Sequence, residues 1–313
     1  NAEIKSEIFV GYNGLAFDRH DNDFISTHEA SDLESHNLGG YILKDLNETT
    51  SFSFSGKYVE YNTGGVLNPP EDDSPKDILT FEANLIKNVF NNSLAGFGLY
   101  YADMEIEQDG DNANKTMQGY NVSFVNDFNK LTYMVSLGKQ TSGSVETQDT
   151  VRNAEYAGIA FNYEFNDKID FGFKYSSFVG KEYDEKTIKT EQTSDVSTIF
   201  ADYKLPAGTI KAGYKLYDNK KKDVEGSGYG EIEDADGDAF FLTYSFPFGK
   251  SASKKERMLI TDKPDVVEER LKAYDNDSAH KKDYDFVVIN DNLENCFKEV
   301  ENIILKKKDK KKF

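Results

Sequence analysis

Apolar and polar residues alternate with a period of two along most of this chain, and no stretch approaches the roughly 18 consecutive apolar residues that a membrane-crossing helix requires. In an extended strand a period of two sends successive side chains to opposite faces, so each such segment has one oily face and one wet face. The pattern is plainest at 168–178, where Ile169, Phe171, Phe173 and Tyr175 alternate with Lys168, Asp170, Gly172, Lys174 and Ser176. It recurs at 154–165 (Ala157, Ile159, Phe161, Tyr163, Phe165) and at 209–217 (Ile210, Ala212, Tyr214, Leu216). If the chain meets a membrane, it does so as a closed barrel of strands.

Twelve segments carry the pattern: 5–13, 35–44, 49–61, 77–89, 93–105, 117–125, 130–139, 154–165, 168–179, 196–205, 209–217 and 238–248. Each is near the roughly 9 to 11 residues of a tilted barrel strand. Between them, tight turns at Asp45-Leu46-Asn47, Asn91-Asn92, 126–129, Asn166-Asp167 and 206–208 alternate with longer polar connections rich in Asp, Glu, Ser and Gly. The expected fold class is therefore all-β, an antiparallel transmembrane β-barrel of about twelve strands over residues 1–249. Short turns lie at one end and long loops at the other, and an even strand count puts both barrel termini at the short-turn end. The same periodicity turned inside out describes a soluble lipocalin-like barrel, although twelve strands exceed what most small soluble barrels use.

Composition agrees with the lipid-facing version. Hydrophobic residues make up only 38% of the chain while aromatics reach 13%, all Phe and Tyr with no Trp. A barrel with oily residues outside and a polar lumen can be this polar in total while every strand keeps a membrane face. Charge divides the chain: residues 250–313 hold 16 Lys+Arg and 14 Asp+Glu, so residues 1–249 hold 37 − 16 = 21 basic against 56 − 14 = 42 acidic groups, a net charge of −21. A body this acidic excludes nucleic acid as a partner, since phosphate contacts need a basic face. The single cysteine, Cys296, lies outside the barrel segment, in keeping with an oxidising envelope compartment. The start at Asn1 is read as a mature or truncated form.

The last segment presents Phe240, Leu242, Tyr244, Phe246 and Phe248 on one face, and its end, TYSFPF at 243–248, resembles the closing strand of bacterial outer-membrane porins. The resemblance covers about 249 residues and is architectural. It implies a Gram-negative outer membrane with periplasmic barrel termini, contact with lipid and lipopolysaccharide, and passive diffusion of small polar or charged solutes. A homo-oligomer is compatible with it. The chain departs from the porin pattern in continuing past Phe248, and in having fewer than the sixteen strands of general porins, which implies a narrower pore.

The alternation also assigns the inward set. Lys57, Glu82, Asn84, Asn121, Glu164, Asp170, Lys174, Asp202, Lys204, Lys211 and Lys215 are expected to line the lumen, with lysines gathered on the last strands. Fixed charge at a constriction selects by sign, so a weakly anion-favouring passage is expected, the alternatives being solvated positions without selectivity and a non-conducting structural barrel. The acidic stretches 109–112 and 234–238 are read as loops; Asp234, Asp236 and Asp238 have the carboxylate density of a calcium loop without its closing Glu. No cofactor is implied. Gly-x-Ser-x-Gly, His-Glu-x-x-His and paired-cysteine motifs do not occur. The histidines His20, His28, His36 and His280 offer no outward mid-strand position for a phospholipase-type Ser/His pair, so no enzyme is expected.

At Gly249-Lys250-Ser251 the composition changes. Spacing predicts a helix at 264–275, a buried strand at 284–290 and a helix at 293–305, a small α/β tail ending in the Lys run 306–312. Glu269-Arg270-Leu271, His280 and YDFVVINDNLE at 284–294 resemble the C-terminal end of guanylate kinase. The resemblance implies that Asn290 and Asp291 lie near a nucleotide base and Arg270 near phosphate. No phosphate-binding Gly-x-x-x-x-Gly-Lys-Ser/Thr loop occurs, so the tail is read as a fused, catalytically incomplete fragment. A nucleotide-binding chain is the alternative function to a channel.

Overall fold

The computed structural model describes residues 4–20, 31–62, 74–90, 93–108, 111–144, 150–184, 187–223 and 232–261. Twelve strands run in order: β1 (Ile4–His20), β2 (Ser31–Asn47), β3 (Thr50–Asn62), β4 (Ser74–Phe90), β5 (Ser93–Gln108), β6 (Asp111–Phe128), β7 (Leu131–Ser144), β8 (Thr150–Glu164), β9 (Ile169–Asp184), β10 (Thr187–Leu205), β11 (Gly208–Asp223) and β12 (Ile232–Pro247). Each pairs antiparallel with its neighbours in sequence, and β1 closes on β12 over Glu7↔Pro247 to His20↔Asp234. Closure leaves no unpaired strand edge. Among the described residues one helix, α1 (Lys254–Ile260), follows β12.

The strands are longer than the alternation indicated, because pairing continues where the oily face stops. Gln108 still pairs with Asp111, and Thr187 with Asp184, so the connections after β5 and β9 are short. The strict alternation of tight turns with long loops is thereby corrected: only the connections after β1, β3, β7 and β11 are extended. The stretch 234–238, expected as a loop, is strand β12 paired to β1 and β11. Polar residues can extend a strand outside lipid without any apolar periodicity, which is why the sequence pattern undercounted them.

At the other end the turns are local chemistry. Asn129 takes φ 56 between β6 and β7, a left-handed position that asparagine tolerates. Asn166 Oδ1 accepts the backbone N–H groups of Lys168 and Ile169, and Asn47 Oδ1 that of Thr49.

Large apolar side chains face outward on every strand, among them Phe54, Leu85, Leu99, Val122, Leu137, Phe161, Ile199 and Leu242. The soluble, inside-out alternative is therefore corrected: the ring-rich face is the outer one. On β8 the outward run goes from Ala157 to Phe165, bounded by exposed Glu155 and the polar turn. Eight steps at ~3.3 Å and a tilt near 40° give a band about 20 Å tall. At its loop-side margin tyrosine hydroxyls donate to carboxylates of the next strand, as in Tyr12 to Glu34, Tyr58 to Asp77 and Tyr214 to Asp238. Rings with a wet tip suit such a boundary.

The tail does not begin as a separate body. Lys250 bridges to Lys5, Ala252 is buried, and α1 turns back into the barrel. Ser253 caps it in a reciprocal capping box with Glu256, each side chain bonding the other's backbone N–H. The helix predicted at 264–275, the strand at 284–290, the helix at 293–305, and with them Arg270, His280, Asn290 and Asp291, lie outside the described residues.

Candidate functional site

The lumen is in two parts. At the tight-turn end the inner wall is apolar, with Leu43, Ile86, Val125, Met134 and Ala160 buried, and α1 seats Met258, Leu259 and Ile260 against it. Gly96 on β5 admits the helix, since a Cβ there would sit 3.1 Å from Leu259 Cδ2. Ion pairs ring this apolar plug: Lys255 to Asp127 at 3.0 Å, Glu256 to Lys5 at 2.9 Å, and Lys254 to Asp170 at 3.2 Å and Glu164 at 3.7 Å. Asp170 is almost fully buried and also holds Lys204 at 3.0 Å, so one carboxylate is shared by two ammonium groups.

Beyond the plug lies a cavity of about 260 Å³ whose floor is Arg257, Ile260 and Thr261 of the helix end. Among the expected lumen residues, Lys57, Glu82, Asn121, Lys174, Asp202, Lys211 and Lys215 line it. Asn84 stands behind this wall, buried beside Glu82 and Asn121, all three converging over Gly98, where a Cβ would collide with each. Glu164 and Asp170 point inward and pair with Lys254 of the plug, while Lys204 pairs with Asp170. Asp238 is partly buried on β12, while the side chains of Asp234 and Asp236 lie outside the described residues. No group of three metal-ligating side chains occurs among the described residues. His36 is exposed on the outer face of β2 at the loop-side margin, 5.5 Å from the Tyr12 ring.

Cavity charge opposes that of the chain. Lys57, Lys174, Lys211, Lys215 and Arg257 stand against Glu7, Glu82 and Asp202, five basic and three acidic groups for a net +2 inside a chain of −19. In the closed order of twelve strands, β3 and β4 are diametrically opposite β9 and β10. Glu82 and its amide partner Asn121, bonded at 3.1 Å, therefore face the lysine-bearing wall of β9 to β11.

Aromatic rings complete the lining, and the alternation missed them. Phe9, Tyr100, Tyr156 and Phe241 line the cavity, and each is the direct cross-strand partner of a glycine, respectively Gly39, Gly119, Gly138 and Gly213. A Cβ on any of these glycines would overlap the ring. The glycine thus lets the ring lean along the wall and leave the axis open. Phe200 does the same over Gly172, with Lys211 and Lys174 Nζ 4.6 and 5.4 Å from its centroid. Doublets such as Tyr100-Tyr101 and Phe240-Phe241, which break the period of two, mark such rings in the sequence. The helix was legible too, as Ser253-x-x-Glu256 before Met258-Leu259-Ile260.

No known family model matches the chain, and no curated protein matches its sequence. Among solved structures it is similar to an outer membrane channel from Pseudomonas putida F1, at 15% identity over 78% of this chain and 95% of that one, with a TM-score of 0.45. A FadL homologue of Pseudomonas aeruginosa matches at 10% identity over 78% and 90%, TM-score 0.42. OmpT, an outer membrane protein of Vibrio cholerae, matches at 9% identity over 78% and 99%, TM-score 0.39.

Proposed function

We propose that this protein is a bacterial outer-membrane channel for small polar solutes, with a preference for anions, whose turn end is closed by its own α1. The carrying observation is the inversion of charge between a net +2 cavity and a net −19 chain, inside a barrel whose every strand exposes apolar side chains. A continuous apolar belt is stable only against lipid. Lysines focused within a low-dielectric wall favour anions over cations in the cavity. The capped helix and both barrel termini then face the periplasm, and the loop-side carboxylates face lipopolysaccharide, where divalent cations can bridge them to its phosphates. A homo-oligomer fits the same surface.

The test is a planar-bilayer recording of the full chain and of Leu259→Asp, which unseats the plug, in a salt gradient. Small or rare steps in the unchanged chain, larger sustained steps in the variant, and reversal potentials shifted toward the anion support the reading. Folded, heat-modifiable protein that conducts in neither form overturns it and favours a structural barrel. A shift toward the cation overturns the anion preference.

A further inference from the structure

Building on that reading, we infer that the cavity is a binding site for planar aromatic carboxylates. A general anion pore needs cationic groups only. Here four rings line the same space as the cations, each laid along the wall by a glycine directly opposite on the neighbouring strand. A fifth, Phe200, lies between two lysines. Such pairing costs strand stability at every glycine, and solvation of a passing inorganic ion does not require it. It leaves ring surface facing a cavity large enough for one ring-sized solute with some water.

The charges are placed to orient that solute. Lys215 Nζ stands 5.7 Å from the Phe241 centroid, so a ring stacked beside Phe241 brings its carboxylate within reach of an ammonium group. Glu82, on the opposite side and held by the amide of Asn121, repels a carboxylate turned the wrong way. Ring and carboxylate are thus read together, and a saturated acid of equal charge offers no flat face.

The experiment is calorimetric titration of the detergent-folded full chain with benzoate, cyclohexanecarboxylate and benzylamine. Benzoate is expected to bind about tenfold tighter than either of the others. Phe241→Leu should bring the ratio of the two acids down to about twofold, and Phe9→Leu makes the same test if Phe241→Leu does not fold. Lys215→Met should weaken both acids about equally and keep their ratio. Equal binding of the two acids, binding of neither, or a ratio that survives both ring substitutions overturns the inference. Chloride conductance with equal acids would overturn this inference and leave the channel standing. Ring discrimination without conductance would do the reverse.

Discussion

Leu259→Ala isolates the energetics of the plug. Leu259 is fully buried between α1 and the inner wall, and the substitution removes three carbons from that contact. At ~0.8 kcal/mol per buried methylene the seated helix loses about 2.4 kcal/mol, and a residual cavity would add to this. At ~1.4 kcal/mol per tenfold, the unseated fraction rises about 50-fold. The readout is a thiol beneath the plug: Ala160→Cys, buried in the same cluster, in a Cys296→Ser background, reacted with a small methanethiosulfonate. When opening and closing are fast relative to modification, the reaction rate follows the open fraction, so it should rise about 50-fold. A rate within twofold of the unsubstituted protein, with the barrel still heat-modifiable, would refute the idea that apolar burial holds the helix in place.

Further outcomes follow from the same geometry. Lys255→Ala, whose pair with half-exposed Asp127 is partly open to solvent, should raise that reaction rate less than about fivefold, whereas Lys254→Ala should exceed it because nearly buried Asp170 loses one of its two cations. Gly138→Ala forces Tyr156 off the wall and should lower stability by about 1–3 kcal/mol, read as a lower midpoint of heat modifiability. Phe161→Arg on the outer face should cost about 2–4 kcal/mol in urea-driven refolding into vesicles, with an undisturbed refolding free energy arguing that this face does not meet lipid. Glu82→Gln should move the reversal potential further toward the anion, and an unchanged potential would remove Glu82 from the selective wall.

The period of two was enough for the strand number, the antiparallel order and the side of the outward apolar residues. Side-chain direction in a strand is a local property, so Ile159, Phe161 and Tyr163 lie outside and Asn162 inside as the alternation required. Strand length was not legible, because polar residues beyond the lipid band pair through backbone groups that leave no mark in the side chains. Asp234 and Asp236 illustrate this, paired within β12 where composition suggested a loop. The inward rings were visible only as breaks in the alternation. Their glycine partners lie on other strands and become meaningful once the register is known.

Among the inward charges the sequence assigned direction but not depth. Asp170 and Lys174 are four residues apart on one face of β9, yet the first anchors the plug and the second lines the cavity. That division depends on α1, whose capping box is local but whose destination is not: Met258, Leu259 and Ile260 could cover any apolar patch. They enter the lumen because closure of β1 on β12 places Lys5 and Asp45 at the rim where the chain emerges, and because Leu43, Ile86, Val125 and Met134 from four different strands form an apolar seat there. Sequence alone determined that this chain is built of a dozen two-faced strands, oily on one side and polar or charged on the other. Only the tertiary structure decided which inside charges face a solute, since that depends on which residues twelve separate strands bring to the same height in the lumen.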